Sequence, residues 1–132
     1  MPPQKEPSRA LRISVWMAQV LLALMMISGA IFKWLPVEQS SAQMPWMGQV
    51  PLWQLRVLGL LDLLGGVGVI LPSLLRYGQR WVVAAATGIV LLMLSAIVFH
   101  ISRGEASVIG FNIFLLLLAL FVGWVRGYKM PG

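Results

Sequence analysis

Apolar residues run almost unbroken through four stretches of this chain, Ile13–Phe32, Val57–Leu75, Trp81–Ile101 and Val108–Val125, and charge is confined to their ends. Arg12 and Lys33 bracket the first, Arg56 and Arg76 the second, Arg80 and Arg103 the third, Glu105 and Arg126 the fourth. Each stretch has the ~20 residues that a helix needs to cross a ~30 Å hydrocarbon core. The pattern predicts an all-α protein, an integral membrane four-helix bundle with almost nothing outside the bilayer.

The links set the topology. Tyr77-Gly78-Gln79 and Ser102–Ser107 are tight turns, and Pro72 falls in the last turn of the second span. Short links make neighbouring spans antiparallel, so the bundle should run up-down-up-down as a single domain over residues 1–132. The one long connection, Trp34–Leu55, is punctuated by Pro36, Pro45 and Pro51. Pro36 suits the first position of a short helix reaching Gln43, and Met44, Trp46, Met47 and Val50 give the segment an apolar side. It is expected to form a flap over about 35–52, re-entrant or lying on the surface, as a lid or as a spacer. Met1–Leu11 is polar and Pro-rich, and is expected to fray.

Composition agrees with a membrane setting. Of 132 residues, 59% are hydrophobic and 11% charged, against about a quarter charged in soluble domains. The net charge of +6 does not point to nucleic acid, because the basic residues sit at span ends and no basic run is interleaved with aromatics. Cysteine is absent, which removes disulfides, thiolate nucleophiles, iron–sulfur clusters and Cys-x-x-Cys redox chemistry. Ser28-Gly29-Ala30 is similar to a signal-peptide cleavage site, but the apolar run is long for a signal and continues through Ile31-Phe32, so the first span is read as retained.

With the N-terminus inside, the inner segments hold Lys5, Arg9, Arg12, Arg76, Arg80, Arg126 and Lys129, and the outer ones only Lys33, Arg56 and Arg103. That imbalance places both termini in the cytoplasm. Trp34, Trp46 and Trp53 then lie near the outer interface and Trp16, Trp81 and Trp124 near the inner one, as an aromatic belt.

Small residues mark the faces that pack. Gly59, Asp62, Gly65 and Gly66 share one side of the second span, Ala86, Met93, Ala96 and His100 a stripe on the third, and Asn112, Leu116, Ala119 and Gly123 a stripe on the fourth. Asp62 is the candidate with the most chemistry. A carboxylate against lipid costs roughly 2.5–3.5 kcal/mol on insertion scales, so it should face the bundle interior. At 1.5 Å rise per residue, Asp62 lies ~9 Å below Arg56, Asn112 ~10 Å below Glu105, and His100 ~4.5 Å below Arg103. Asp62, His100 and Asn112 are therefore candidates for a ligand-binding or proton-relay site, ringed at its mouth by Lys33, Glu38, Arg56, Arg103 and Glu105. A quinone headgroup suits such a site: its carbonyls need donors, its reduction needs protons, and histidine exchanges protons near neutral pH. The alternative is structural, with Asp62 paired to His100 or an arginine and hydrogen-bonded to Asn112. No metal site is expected, since Met44, Met47 and a lone His100 make a poor ligand set, and haem is no better served.

These residues carry a resemblance. Phe32-Lys33, the segment LRVLGLLDLLGGVGVILP at Leu55–Pro72, LLMLSAIVFHISRGE at Leu91–Glu105 and NIFLLLLALFVGWVR at Asn112–Arg126 resemble the DoxX-like family of small four-span bacterial membrane proteins. Many relatives carry Glu where this chain has Asp62, a side chain of the same charge and longer reach. The family is named for a membrane subunit of a thiosulfate:quinone oxidoreductase, and other members are associated with membrane redox complexes. The resemblance implies a multi-pass protein of the bacterial inner membrane, an accessory or anchor subunit of a quinone-linked redox system, with a redox protein as partner beside the lipid bilayer. It does not imply that this chain is itself an enzyme. Two other readings stand beside it, a small proton-coupled transporter using Asp62, and a non-catalytic assembly factor whose flap contacts a partner.

Overall fold

The computed structural model describes residues 8–129. The expected fraying of Met1–Leu11 therefore lies outside the described residues as far as residue 7, as does Lys5, whereas Arg9–Leu11 are helical. Ser8 explains the earlier start: its hydroxyl accepts from the Leu11 amide at 3.1 Å and caps the first helix, α1 (Arg9–Trp34).

The remaining elements are α2 (Val37–Gln43), a 3₁₀ turn at Pro45–Gly48, α3 (Leu52–Gly68), α4 (Leu71–Leu74), α5 (Gln79–Ser102), a 3₁₀ turn at Ala106–Val108, and α6 (Ile109–Trp124), which widens into a π turn over Val125–Lys129. Four helices are long and apolar enough to cross a membrane: Arg9–Trp34, Leu52–Leu74, Gln79–Ser102 and Ala106–Lys129. They form an all-α bundle in which α1 packs on α3 and α6, and α5 packs on the same two helices.

The second span is broken at Val69-Ile70. Pro72 has no amide to offer the Gly68 carbonyl, so the α ladder gives way to a 3₁₀ contact, Ile70 N to Val67 O at 3.3 Å, before α4 begins. Arg76 (φ 53°) and Gly78 (φ 143°) then turn the chain into α5.

Every helix buries one narrow stripe. On α1 it is Val15, Gln19, Leu22, Met26 and Ala30; on α3, Leu55, Gly59, Asp62 and Gly66; on α5, Val82, Ala86, Ile89, Met93 and His100; on α6, Leu115, Ala119 and Val122. Spacings of three and four keep each stripe against its neighbours. Leu116 and Gly123, expected on the buried face of α6, are only half-buried, because the stripe centres on Leu115, Ala119 and Val122 instead. Glycine lets α1 and α3 meet: a Cβ on Gly66 would lie 3.1 Å from Met26 Cβ and 3.2 Å from the Ala23 carbonyl oxygen.

Candidate functional site

Toward the end of the bundle covered by α2 and the Pro45–Gly48 turn, the buried stripes of α1, α3 and α5 each carry a polar residue. Lys33 continues the α1 stripe seven residues beyond Met26, Asp62 sits within the α3 stripe, and His100 follows Met93 by seven on α5. Asn112 enters from the first turn of α6. These four side chains line one cavity of about 190 Å³, walled by Leu58, Trp46 and Phe99.

Asp62 is 4% exposed and pairs with Lys33, whose Nζ donates to Oδ2 at 2.6 Å. The partner expected for a structural role was His100 or an arginine, and Lys33 was placed at the mouth. Its four-methylene stem carries the ammonium into the cavity instead. Gly29, one turn earlier on the same face, clears the way: a Cβ there would stand 3.2 Å from Asp62 Oδ2 and 3.6 Å from Lys33 Nζ.

His100 is 5% exposed, and its Nδ1 lies 3.1 Å from Glu105 Oε1. The same oxygen accepts from Arg103 Nε at 2.9 Å, so it is a carboxylate acceptor and Nδ1 carries the ring proton. Among the described residues Nε2 has no partner, and it is left to serve the cavity. The hydrogen bond from His100, seconded by Arg103, holds the Glu105 carboxyl below the usual glutamate range. Arg103 also donates through Nη2 to Gln49, tying the turn before α6 to the flap. Trp46 closes the cavity, edge-on to His100 (5.5 Å) and to Phe99 (5.9 Å), with Lys33 Nζ 5.8 Å from its ring. The Asn112 carboxamide has no hydrogen-bond partner among the described residues.

A second, wider space of about 680 Å³ shares Lys33, Trp46, His100 and Asn112 with the first. Its other walls include Leu24, Met25 and Phe32 of α1, Phe111 of α6, and Glu105. Leu24 and Phe111 are exposed on the perimeter of the bundle, so this space opens sideways between α1 and α6.

Two of the mouth residues lie elsewhere. Glu38 is exposed on α2 and lines neither space. Arg56 is a latch between helices: its Nη1 donates to the carbonyls of Lys33 (2.9 Å) and Leu35 (3.3 Å), Trp34 Nε1 donates back to the Arg56 carbonyl at 3.1 Å, and the guanidinium lies over the Trp34 ring. Those bonds satisfy the last carbonyls of α1 and hold Lys33 in register with Asp62.

Sequence reasoning did not single out a second polar cluster, at the end of the bundle that carries the described termini. Gln19, wholly buried, donates through Nε2 to the Val69 carbonyl (2.8 Å) and to Ser73 Oγ (2.9 Å), and Ser73 Oγ donates to Gln79 Oε1 at 2.8 Å. Arg126, 4% exposed, donates to Gln19 Oε1 from Nε (2.9 Å) and Nη2 (2.7 Å). The signal was present: Arg126 lies seven residues beyond Ala119 on the α6 stripe, and Gln19 lies seven before Met26 on the α1 stripe.

The sequence model of the DoxX-like family matches residues 17–122, which takes in the four polar residues of the cavity and most of the bundle. The chain belongs to the DoxX-like family. Comparison with curated proteins and with solved structures returns no match.

Proposed function

We propose that this DoxX-like protein is an accessory or anchor subunit of a quinone-linked redox system in the bacterial inner membrane, with both termini cytoplasmic and the polar cavity open to the outer side. One observation carries the reading: the Lys33–Asp62 ion pair, 2.6 Å long, is lodged in a cavity that His100 and Asn112 also line. The ammonium and the carboxamide offer donors to a carbonyl oxygen, and Asp62 keeps the pair neutral overall. His100 Nε2, with Nδ1–H held by Glu105, can take up a proton from outside the cavity and pass it on to a ligand oxygen. Trp46 and Phe99 supply flat apolar walls for a ring. The sideways opening between α1 and α6 gives an apolar tail a route to the acyl chains. Reducing a quinone to a quinol takes two electrons and two protons; the electrons arrive from a redox partner protein, and His100 handles protons.

The test is a titration of the purified full-length chain with a short-chain quinone, read by quenching of tryptophan fluorescence, for wild type, Asp62→Asn and Asn112→Leu. Asn112→Leu removes one donor to the ligand, and Asp62→Asn releases the ammonium that Asp62 holds in place; either change should weaken binding about tenfold. Binding that is absent from wild type, or unchanged in both variants, overturns the proposal.

A further inference from the structure

The described acids all belong to the flap half of the molecule: Glu38 on α2, Asp62 beneath the flap, and Glu105 before α6. The opposite end carries Arg9, Arg12, Arg76, Arg80, Arg126 and Lys129, with no acid among the described residues there. Five of these cations stand on the surface, where water and salt screen them. Arg126 does not. Its guanidinium is held inside by Gln19 and lies 5.1 Å from the Trp16 ring. Both of its hydrogen bonds go to one neutral amide oxygen, which leaves a full positive charge inside the bundle without a counter-charge among the described residues. Buried charges are ordinarily paired, because an unpaired one loses its hydration with nothing in return.

A guanidinium has five N–H donors, and Gln19 takes two of them. No fully enclosed side-chain nitrogen among the described residues lacks a partner, so Nη1, which has none there, reaches open space. That space is a groove of about 540 Å³ lined by Arg126, Arg80, Gln79, Tyr77 and the backbone of Gly78 and Gly127. Tyr77, Trp81, Trp124 and Tyr128 are exposed around the same end. Aromatic residues of this kind settle at headgroup level, where lipid phosphates lie. The groove therefore brings together an unneutralised planar donor fork, a second arginine and a phenol, at the depth of the phosphate layer. Arginine's fork matches the paired oxygens of a phosphate.

We propose that this groove is a binding site for the phosphate of an anionic phospholipid headgroup, gripped by Arg126 from inside and by Arg80 at the rim. It is independent of the cavity around Asp62. The bound phosphate completes the charge balance of the Gln19–Arg126–Ser73 cluster and so ties α1, α4, α5 and α6 together at this end.

The experiment uses the full-length chain, delipidated and reconstituted in nanodiscs of phosphatidylcholine alone or with phosphatidylglycerol, with bound lipid counted by native mass spectrometry. Wild type should retain phosphatidylglycerol in preference to phosphatidylcholine. Arg126→Gln and Arg80→Gln should each weaken that preference about tenfold, by the loss of a charge-assisted contact. Arg80 is exposed, so its variant answers even where Arg126→Gln fails to fold. Arg126→Lys, which keeps the charge and loses the fork, should fall between. Arg76→Gln should behave as wild type. An equal loss in Arg76→Gln would mean general surface attraction, and full retention in Arg80→Gln would mean that the groove is not used; either overturns the site. Inorganic phosphate that displaces the lipid at equal concentration would overturn the lipid as its occupant.

Discussion

Removing Lys33 should hurt this protein more than removing Asp62, although the two form a single ion pair. At 2.6 Å the pair's attraction is roughly 6 kcal/mol for an effective dielectric of about 20, a gross figure that desolvation of both groups largely offsets. The asymmetry comes from what each deletion strands. Lys33→Met leaves a carboxylate on a short side chain, 6% exposed and walled by Gly29 and Leu58, with no other cation paired to it among the described residues. Breaking a buried pair in this way costs about 3–5 kcal/mol, and the lower end applies because Lys33 itself is 15% exposed. Asp62→Asn leaves an ammonium on a flexible stem at the last turn of α1, where it can keep a bond to the amide oxygen or extend toward the headgroups, for about 1 kcal/mol. The double variant should lie close to Asp62→Asn alone, giving a coupling of about 2 kcal/mol or more in a double-mutant cycle. Reversible denaturation in mixed micelles, followed by tryptophan fluorescence, measures all four proteins. A coupling below about 0.5 kcal/mol, or a Lys33→Met variant as stable as wild type, would refute the claim that the pair is a buried, mutually dependent unit.

Three further outcomes follow from particular contacts. Gly66→Ala should cost about 2 kcal/mol in the same assay, since the new methyl meets Ala23 backbone at 3.2 Å, whereas Gly88→Ala, with nothing within 4 Å, should be neutral or stabilise by up to about 1 kcal/mol. Glu105 has its carboxyl held below the ordinary glutamate value of 4.5, so its contribution is present above that value and fades as pH falls through the lower folded one; acid titration of stability should therefore lose less in Glu105→Gln than in wild type. Gln19→Leu removes the one oxygen that Arg126 uses among the described residues, together with the donors to Val69 and Ser73, and should cost about 3 kcal/mol, seen as a lower denaturation midpoint with unchanged helix content in circular dichroism.

The fold was legible because lipid leaves few options. Long apolar runs bounded by charge can only be helices that satisfy their own backbone groups, and a carboxylate at position 62 had to turn away from acyl chains, where the structure has it 4% exposed. The pairing inside the site was less legible. Charged residues at span ends read as headgroup anchors, and a lysine's stem is long enough to anchor outward or to reach inward. The choice at Lys33 is made by Gly29 beneath it and by the Arg56 bonds that fix the end of α1, neither of which periodicity shows. Arg126 was read only as a topological marker for the same reason, and its bonds to Gln19 are a second role. What set it apart was its place on the buried stripe, since Leu115, Ala119, Val122 and Arg126 follow one another by four, three and four.

The polar residues on those stripes divide the seam of the bundle into two polar ends and an apolar middle. Gln19 and Lys33 are fourteen residues apart on one face of α1, about 21 Å along the axis. Between them the seam is filled by Leu22, Met26, Ile89, Met93, Leu115 and Ala119, all nearly or fully buried. Beyond the Lys33–Asp62 pair, a proton entering at His100 meets no titratable side chain among the described residues along that length until Arg126, which does not give up its proton. A carrier that couples transport to protons needs a relay or an alternating opening to the far side. Here the far side is closed by the Gln19–Arg126–Ser73 network. Among the described residues that leaves a cavity open to one face and to the lipid, which fits the quinone site proposed above better than a path through the bundle.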